Sequence, residues 1–356
     1  MAAPPPPTRE RLLSLIRAMA GRPVPMLVDL VADRFVTGTP KRISREAPVL
    51  ILEYQGERLA PGGGANAVAN VAALGGRPLP LGLVGDDASG RELLADLAAR
   101  GIDVGGIRVR AGYRTPTKVR ILGGGRHAIK QQIVRYDVED RLELDADDRR
   151  AFAERLAGWA AEAPPPRVAI VSDYGYGAVD PEMVAALRRE LGAEAAVVAD
   201  SRHRLDRLPC DGATPNEEEA ETLAGGPLEE APGGLAGAGR SLRERLGARF
   251  LLITRGSRGM SLFTDGAAAH LPVHGTDQVA DVTGAGDTVI GTFALALAAG
   301  GTPLEAALLA NYAGGVVVMK MGTATLGPDE LAHAVESDPR PRDEMSWETA
   351  RETAGG

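Results

Sequence analysis

Short apolar runs alternate with stretches of helical period along most of this chain, and that alternation narrows the possible folds more than any other feature. Met26–Val31, Pro80–Val84, Val168–Val171, Ala195–Ala199 and Phe250–Thr254 read as buried strands. Arg9–Ala20, Ala65–Leu74, Gly90–Arg100, Asp147–Ala161, Pro181–Leu191 and Leu235–Leu246 read as helices between and around them. Strands separated by helices of this length form βαβ units and a parallel sheet. The expected fold class is therefore α/β. With 356 residues and 44% apolar side chains, the chain can bury one large core or a core plus a small appendage.

Two segments break the alternation. Asp33–Tyr54 is β-branched and interrupted by Gly38 and Pro40, and Val104–Val138 behaves similarly. In the second, Lys118–Leu122 and Ile129–Val134 are strand candidates around a Gly123–Gly125 turn, which Arg126 extends. Both segments are expected to form a small β lid, about residues 34–56 and 104–138, over one edge of the main domain. Residues 1–8 (MAAPPPPT) are expected to be disordered, since consecutive prolines supply neither donors nor core. The main domain is expected over 9–336, with Ala224–Gly239 as a loose surface loop and 337–356 as a frayed polar tail.

Charge and composition exclude several classes of partner. The net charge is −8 with both signs interspersed, which argues against nucleic acid or an anionic membrane. The longest apolar runs, around Val289–Ala299 and Val316–Met321, fall short of the ~20 residues that a membrane span needs. The N-terminus lacks the apolar stretch of a signal peptide, and the single cysteine, Cys210, permits no intrachain disulfide. A cytoplasmic location is expected. The five histidines show no metal-ligand spacing.

The chemistry concentrates in Asp281-Val-Thr-Gly-Ala-Gly-Asp-Thr288, just before an apolar helix. Gly284, Ala285 and Gly286 leave backbone N–H groups uncovered at a helix start, where the dipole favours an anion such as a phosphoryl group in transfer. Asp287, in the first turn, can take the proton of an attacking hydroxyl while those donors hold the developing charge. Phosphoryl transfer needs little beyond such positioning and a divalent cation. A capping aspartate beside a tight glycine turn is the structural alternative.

Asp281–Thr288 resembles the C-terminal signature of the ribokinase-like (PfkB) carbohydrate kinases, and Pro61-Gly-Gly-Gly-Ala-Asn66 through Gly75 resembles their N-terminal one. The likeness covers roughly residues 24–336. Asp33-Arg34, Lys41–Val49, Thr117-Lys118, Ser172-Asp-Tyr174 and Thr254-Arg255 are similar to the D-glycero-D-manno-heptose-7-phosphate kinases within that family. The resemblance implies a three-layer ribokinase-like fold with a β lid and transfer of phosphate from ATP, with Mg²⁺, to a sugar hydroxyl, the anomeric one of heptose 7-phosphate; a kinase for another sugar or sugar phosphate and a non-catalytic sugar-binding protein are the alternatives. It leaves room for a monovalent cation and for a homodimer through the lid. Many such kinases are fused to a nucleotidyltransferase domain. Only twenty residues follow Glu336, so that second activity is not expected.

Further site residues follow from the resemblance. Asp33, just beyond the first strand, would accept hydrogen bonds from sugar hydroxyls, and Gly62, Gly63 and Asn66 would approach the sugar closely. Asn216 and Glu219, in an Asn-x-x-Glu motif, would organise Mg²⁺ and phosphate through water; the same residues suit a helix N-terminus, and both readings stand. Thr254, Arg255 and Gly256 form a turn that would contact the nucleotide, with Arg255 on an ATP phosphate. Asn311, near Lys320–Thr325, would belong to the adenine-side wall. Arg34, Lys41, Arg42, Lys118 and Arg120 concentrate positive charge in the lid, which suits an acceptor that already carries a phosphate. The alternative is that these cations only guard exposed strand edges.

The chain departs from the heptose-kinase pattern in the lid turn that Gly123–Arg126 extend and in three further places. Val28 stands where glycine usually precedes Asp29, Ser172–Tyr176 brings a tyrosine where lysine is usual, and Asp200-Ser-Arg202 replaces Asp-Pro-Lys. None of these touches Asp287; they bear on sugar and phosphate contacts.

Overall fold

The central sheet forms where successive side chains are apolar on both faces. The computed structural model describes residues 7–125, 130–265, 267–275, 280–338 and 346–349. Strand β1 (Pro23–Val28) is buried along its whole length. Met26 and Val28 enter one core and Leu27 the other, as side chains alternate across a strand. Around it lie β4 (Arg77–Gly85), β5 (Ile107–Arg110), β8 (Val168–Asp173), β9 (Ala196–Ser201), β10 (Gly212–Ala213) and β11 (Phe250–Thr254). These seven are mutually parallel. Beyond β11, β12 (Met260–Thr264), β13 (Ala267–Leu271) and β14 (Ser346–Thr349) extend the sheet antiparallel. The full order is β14-β13-β12-β11-β10-β9-β8-β1-β4-β5.

Helices cover both faces and make three layers. One face carries α1 (Arg9–Ala18), α2 (Gly64–Ala73), α3 (Ala88–Ala99), α8 (Ala285–Ala298), α9 (Pro303–Val317) and α10 (Pro328–Ser337). The other carries α4 (Ala146–Ala160), α5 (Pro181–Leu191), α6 (Glu217–Ala224) and α7 (Gly234–Arg245). Their starts are written locally. Asp145 and Thr302 close capping boxes on α4 and α9, while Pro181 and Pro303 occupy first-turn positions where no N–H is needed.

The lid is a separate four-stranded sheet in the order β3 (Leu50–Gly63), β2 (Leu30–Ile43), β6 (Thr117–Gly123), β7 (Gln131–Val138). Register gives it two unlike faces. Asp33 pairs across to Lys118, and Lys118 to Asp137; Phe35 pairs to Arg120, and Arg120 to Arg135. Those residues share one charged face. On the other, Val36 pairs to Ile121 and Ile121 to Val134, and these three line an apolar groove with Leu50, Leu52 and Tyr54.

Several boundaries differ from expectation. The first strand begins at Pro23 and stops at Val28; Leu30 and Val31 already belong to the lid. Ile107–Arg110 lies in the segment expected for the lid, but it pairs with β4 on the main sheet because the chain makes one more parallel crossover after α3. The expected loose loop carries a 3₁₀ turn at Leu228–Glu230 and the start of α7, with Leu228 and Leu235 buried. Within the expected tail, Ser337 ends α10 and Ser346–Thr349 pairs with β13. Residues 1–6, Arg126, Ile129 and most of the tail lie outside the described residues.

Candidate active site

Parallel strands end together, and here the carboxyl ends of β1, β8, β9, β10 and β11 face the N-terminus of α8. Two glycine turns bring the helices α2 and α8 into register there. Gly284 caps α8 at φ +79°, and a Cβ on it would fall 2.4 Å from Asn66 Nδ2. Gly63 caps α2 at φ +51°, with Val31 and Tyr174 too close for a side chain. Thr288 Oγ1 donates to Asn70 Oδ1 at 3.0 Å and fastens the two helices.

Asp287 lies buried at the floor of this junction. Asn66 Nδ2 donates to its Oδ2 at 2.9 Å and the Tyr174 hydroxyl donates to its Oδ1 at 2.8 Å. Burial pushes the carboxyl up to about 6, while both hydrogen bonds hold it down and nearby Asp33 adds repulsion. A carboxylate so poised can accept a proton near neutral pH. Asn66, expected to face a sugar, instead spends its amide on Asp287 and on the Gly284 carbonyl. It fixes the orientation of that carboxylate.

Tyr174 is the main residue that sequence reasoning left unassigned. Its phenol is raised well above the ordinary range by burial and by Asp287, so it remains a donor. The backbone around it is held by Asp29, whose buried carboxyl accepts N–H bonds from Tyr174, Tyr176 and Ala178, each at 2.9 Å. Burial pushes Asp29 up to about 6, against the pull of those three bonds. The signal available in the sequence was an aspartate ending an otherwise apolar strand.

On the lid side, Asp33 is buried and paired with Arg120. Gly62 lets it lie there, since a Cβ at that position would meet Asp33 Oδ2 at 2.5 Å. Lys118 is also buried, 5.2 Å above the Tyr174 ring, and burial together with Arg202 lowers its pKa. Arg120 and Arg58 both stack on Phe35, at 5.4 and 4.2 Å. The other expected cations do not converge. Arg42 lies nine residues beyond Asp33 along β2, roughly 30 Å at the rise of an extended strand, and Lys41 lies beside it. Arg34 points to Glu57 and Glu92.

On the opposite side, Asn216 and Glu219 cap α6 reciprocally, each bond 2.9 Å. Both also line a cleft with Asp200, Arg202, Thr214, Thr254, Gly284, Gly286 and Asp287, so the capping and site readings coexist. The cleft holds about 240 Å³, below the ~300–1,000 Å³ of pockets that enclose a drug-sized ligand, which suits a phosphate chain rather than a whole nucleotide. Burial raises both Asp200 and Glu219, and Glu219 adds repulsion at Asp200. Excess negative charge of this kind fits a divalent cation held through water. Among the described residues no three His, Cys, Asp or Glu side chains converge as direct ligands. Arg255 departs from expectation: its guanidinium is bound to Glu217 and Glu229 and does not line the cleft. Gly256 is exposed in the turn behind it, and Asn311 donates to the Pro272 carbonyl at 2.8 Å, bracing α9.

Comparison with known proteins gives the family and the fold. Residues 26–154 and 191–330 match the model of the family described as "pfkB family carbohydrate kinase". The chain is 39% identical over 338 residues to the "Bifunctional protein HldE" of Mesorhizobium japonicum, covering 93% of this chain and 65% of that protein. It is 40% identical over 340 residues to the protein of the same name from a Caulobacter species, covering 93% and 67%. It thus spans about two thirds of the length of these relatives. Among solved structures, Arabidopsis thaliana ribokinase complexed with ribose and ATP superposes with a TM-score of 0.70 at 20% identity, covering 89% of this chain and all of that one. Escherichia coli phosphofructokinase-2 with substrates and products gives 0.70 at 18% identity, covering 88% and 98%.

Proposed function

The chain belongs to the pfkB family of carbohydrate kinases, phosphotransferases with an alcohol acceptor, and from that premise we propose that it uses ATP to phosphorylate the anomeric hydroxyl of D-glycero-D-manno-heptose 7-phosphate, giving the 1,7-bisphosphate. The observation that carries the reading is Asp287, a buried carboxylate fixed by Asn66 and Tyr174 between a charged lid face and a polar phosphate-sized cleft. Asp287 takes the proton of the sugar hydroxyl as its oxygen attacks the γ-phosphorus. The bond to the bridging oxygen breaks and its electron pair leaves with ADP. The N–H groups of Gly284–Asp287, at the start of α8, receive the developing charge.

The kinase unit comprises residues 9–337 with the added strand β14 (Ser346–Thr349), and its lid lies at 30–63 and 117–138. Asp33, given room by Gly62, receives sugar hydroxyls; Lys118 and the Arg58–Arg120 pair on Phe35 receive the acceptor's own phosphate. Asn216, Glu219 and Asp200 would hold Mg²⁺ through water, which when bound neutralises charge on the ATP phosphates. Thr254 and Gly256 flank the nucleotide and Asn311 braces its adenine-side wall. Gly284, Ala285 and Gly286 shape the anion site. The apolar lid face pairs with the same face of a second copy. Among the described residues no helix is long and apolar enough to cross a membrane.

The test is ATP consumption by the purified chain against a panel of sugar phosphates and their unphosphorylated counterparts. Heptose 7-phosphate should give the highest kcat/KM. Equal use of heptose and its 7-phosphate would remove the assigned acceptor and leave a sugar kinase of other specificity.

A further inference from the structure

Arg202 has no role in the chemistry so far, yet its surroundings single it out. It follows the end of β9 and lines the cleft that holds Asp287, Gly284 and Gly286. The arginines flanking this cleft are occupied, Arg204 by Asp173, and Arg255 and Arg258 by Glu217 and Glu229. Among the described residues Arg202 has no ion-pair partner. Its guanidinium instead lies 4.8 Å over the Tyr174 ring.

That ring is itself pinned, by its hydroxyl on Asp287 Oδ1 at 2.8 Å and by its backbone N–H on Asp29 Oδ2 at 2.9 Å. An exposed arginine is ordinarily a solvated surface group. This one rests on the residue that orients the proposed base, with its donors left over and the cleft beside it. A planar fork of free donors suits the non-bridging oxygens of a phosphoryl group.

We propose that Arg202 is a catalytic residue that donates hydrogen bonds to the phosphoryl group while it passes from ATP to the sugar oxygen. The inference rests on the sugar-kinase reading of this cleft. The bond changes are those already given, and the hydroxyl proton goes to Asp287. Arg202 keeps its own protons and gains only hydrogen bonds that strengthen as charge spreads over the transferring group.

Arg202→Ala tests it, with Asp287→Asn as the comparison. The alanine variant should lose about 10²-fold in kcat, the scale of one preorganised donor, with the KM for sugar phosphate little changed. Guanidinium added to Arg202→Ala should restore part of the rate and should restore none in Asp287→Asn. The melting temperature should match wild type, since Arg202 is exposed and unpaired. Near-normal kcat, a defect confined to KM, or a lost rate that guanidinium leaves untouched would each overturn the proposal. Wild type serves as the control for the reading beneath it. If wild type transfers phosphate from ATP to no sugar or sugar phosphate, the kinase reading of the cleft itself fails; an active wild type with a fully active Arg202→Ala removes only the arginine.

Discussion

Asp287 is held by forces that oppose one another. Burial favours its protonated form, and the donors Asn66 and Tyr174 favour its charged form, leaving it at about 6. As a base it works only when ionised, so kcat should rise with pH through about 6 and level off above. Stability should run the other way. The folded pKa exceeds the ordinary carboxylate value of 3.8, so the native state binds this proton more tightly than the unfolded chain does. Its contribution to stability is full below that lower value and declines as pH climbs to about 6. Asp287→Asn should therefore abolish turnover, by ~10²–10⁴-fold. At pH 8 it should also raise stability by on the order of 1–3 kcal/mol, because the Tyr174 hydroxyl, unlike a backbone N–H, can turn to accept from the new amide. Thermal melts at pH 8 and pH 4 check the second half; a variant that melts below wild type at pH 8 would show that the carboxylate serves the fold. In the lid, Arg58→Ala and Lys118→Ala should each weaken binding of the phosphorylated acceptor by ~1.5–3 kcal/mol, the range of a charge-assisted hydrogen bond. Arg42→Ala, far along β2, should not. KM measurements for heptose 7-phosphate in the three variants decide between the two groups of cations.

One stretch of backbone, residues 174–178, shows how an element can matter more than the residues a motif picks out. Asp29 accepts three N–H groups from it, two on Oδ2 and one on Oδ1. An amide in that place keeps one acceptor oxygen and turns an N–H₂ toward a donor. Asp29→Asn should cost ~1–3 kcal/mol of stability, the penalty of a buried donor left unmatched, and should lower kcat by displacing Tyr174 from Asp287. The KM for ATP should hold. Unaltered kcat in a destabilised variant would reduce Asp29 to a purely structural group. This network was not legible beforehand, because it joins β1 to the end of β8 across a long sequence separation, whereas motifs report neighbours. Local features were legible for the same reason. The helix starts at Asp145, Asp180 and Asn216 carry their caps beside them, and the glycine turns at Gly63 and Gly284 announce the junction of α2 and α8. The fate of the arginines was hidden: Arg255 and Arg34 looked available until their carboxylate partners arrived from other elements.

Seen across the whole molecule, the lid is a sheet whose two faces answer to different partners. The charged face, with Asp33, Lys118 and Arg120, is the one proposed to meet the acceptor. Among the described residues no helix covers the apolar face, with Val36, Ile121 and Val134, and Tyr54 and Val134 are left 64% and 48% exposed. A closed dimer would set two such faces together by a twofold operation, each patch covering its copy. The two faces should respond to salt in opposite ways. Screening weakens the hold on a phosphorylated acceptor, yet it eases the association of two chains that each carry a net charge of −8. Val134→Asp places a charge at the centre of the apolar face, across the sheet from the acceptor site. Sedimentation should find wild type dimeric at micromolar concentration and the variant monomeric. With its support gone, the lid should order less often, so KM for heptose 7-phosphate should rise more than kcat falls. A wild-type monomer at every salt concentration would leave the apolar face unexplained and remove the dimer. A monomeric variant with unchanged KM would keep the dimer but show that the lid holds its acceptor without help from a second copy.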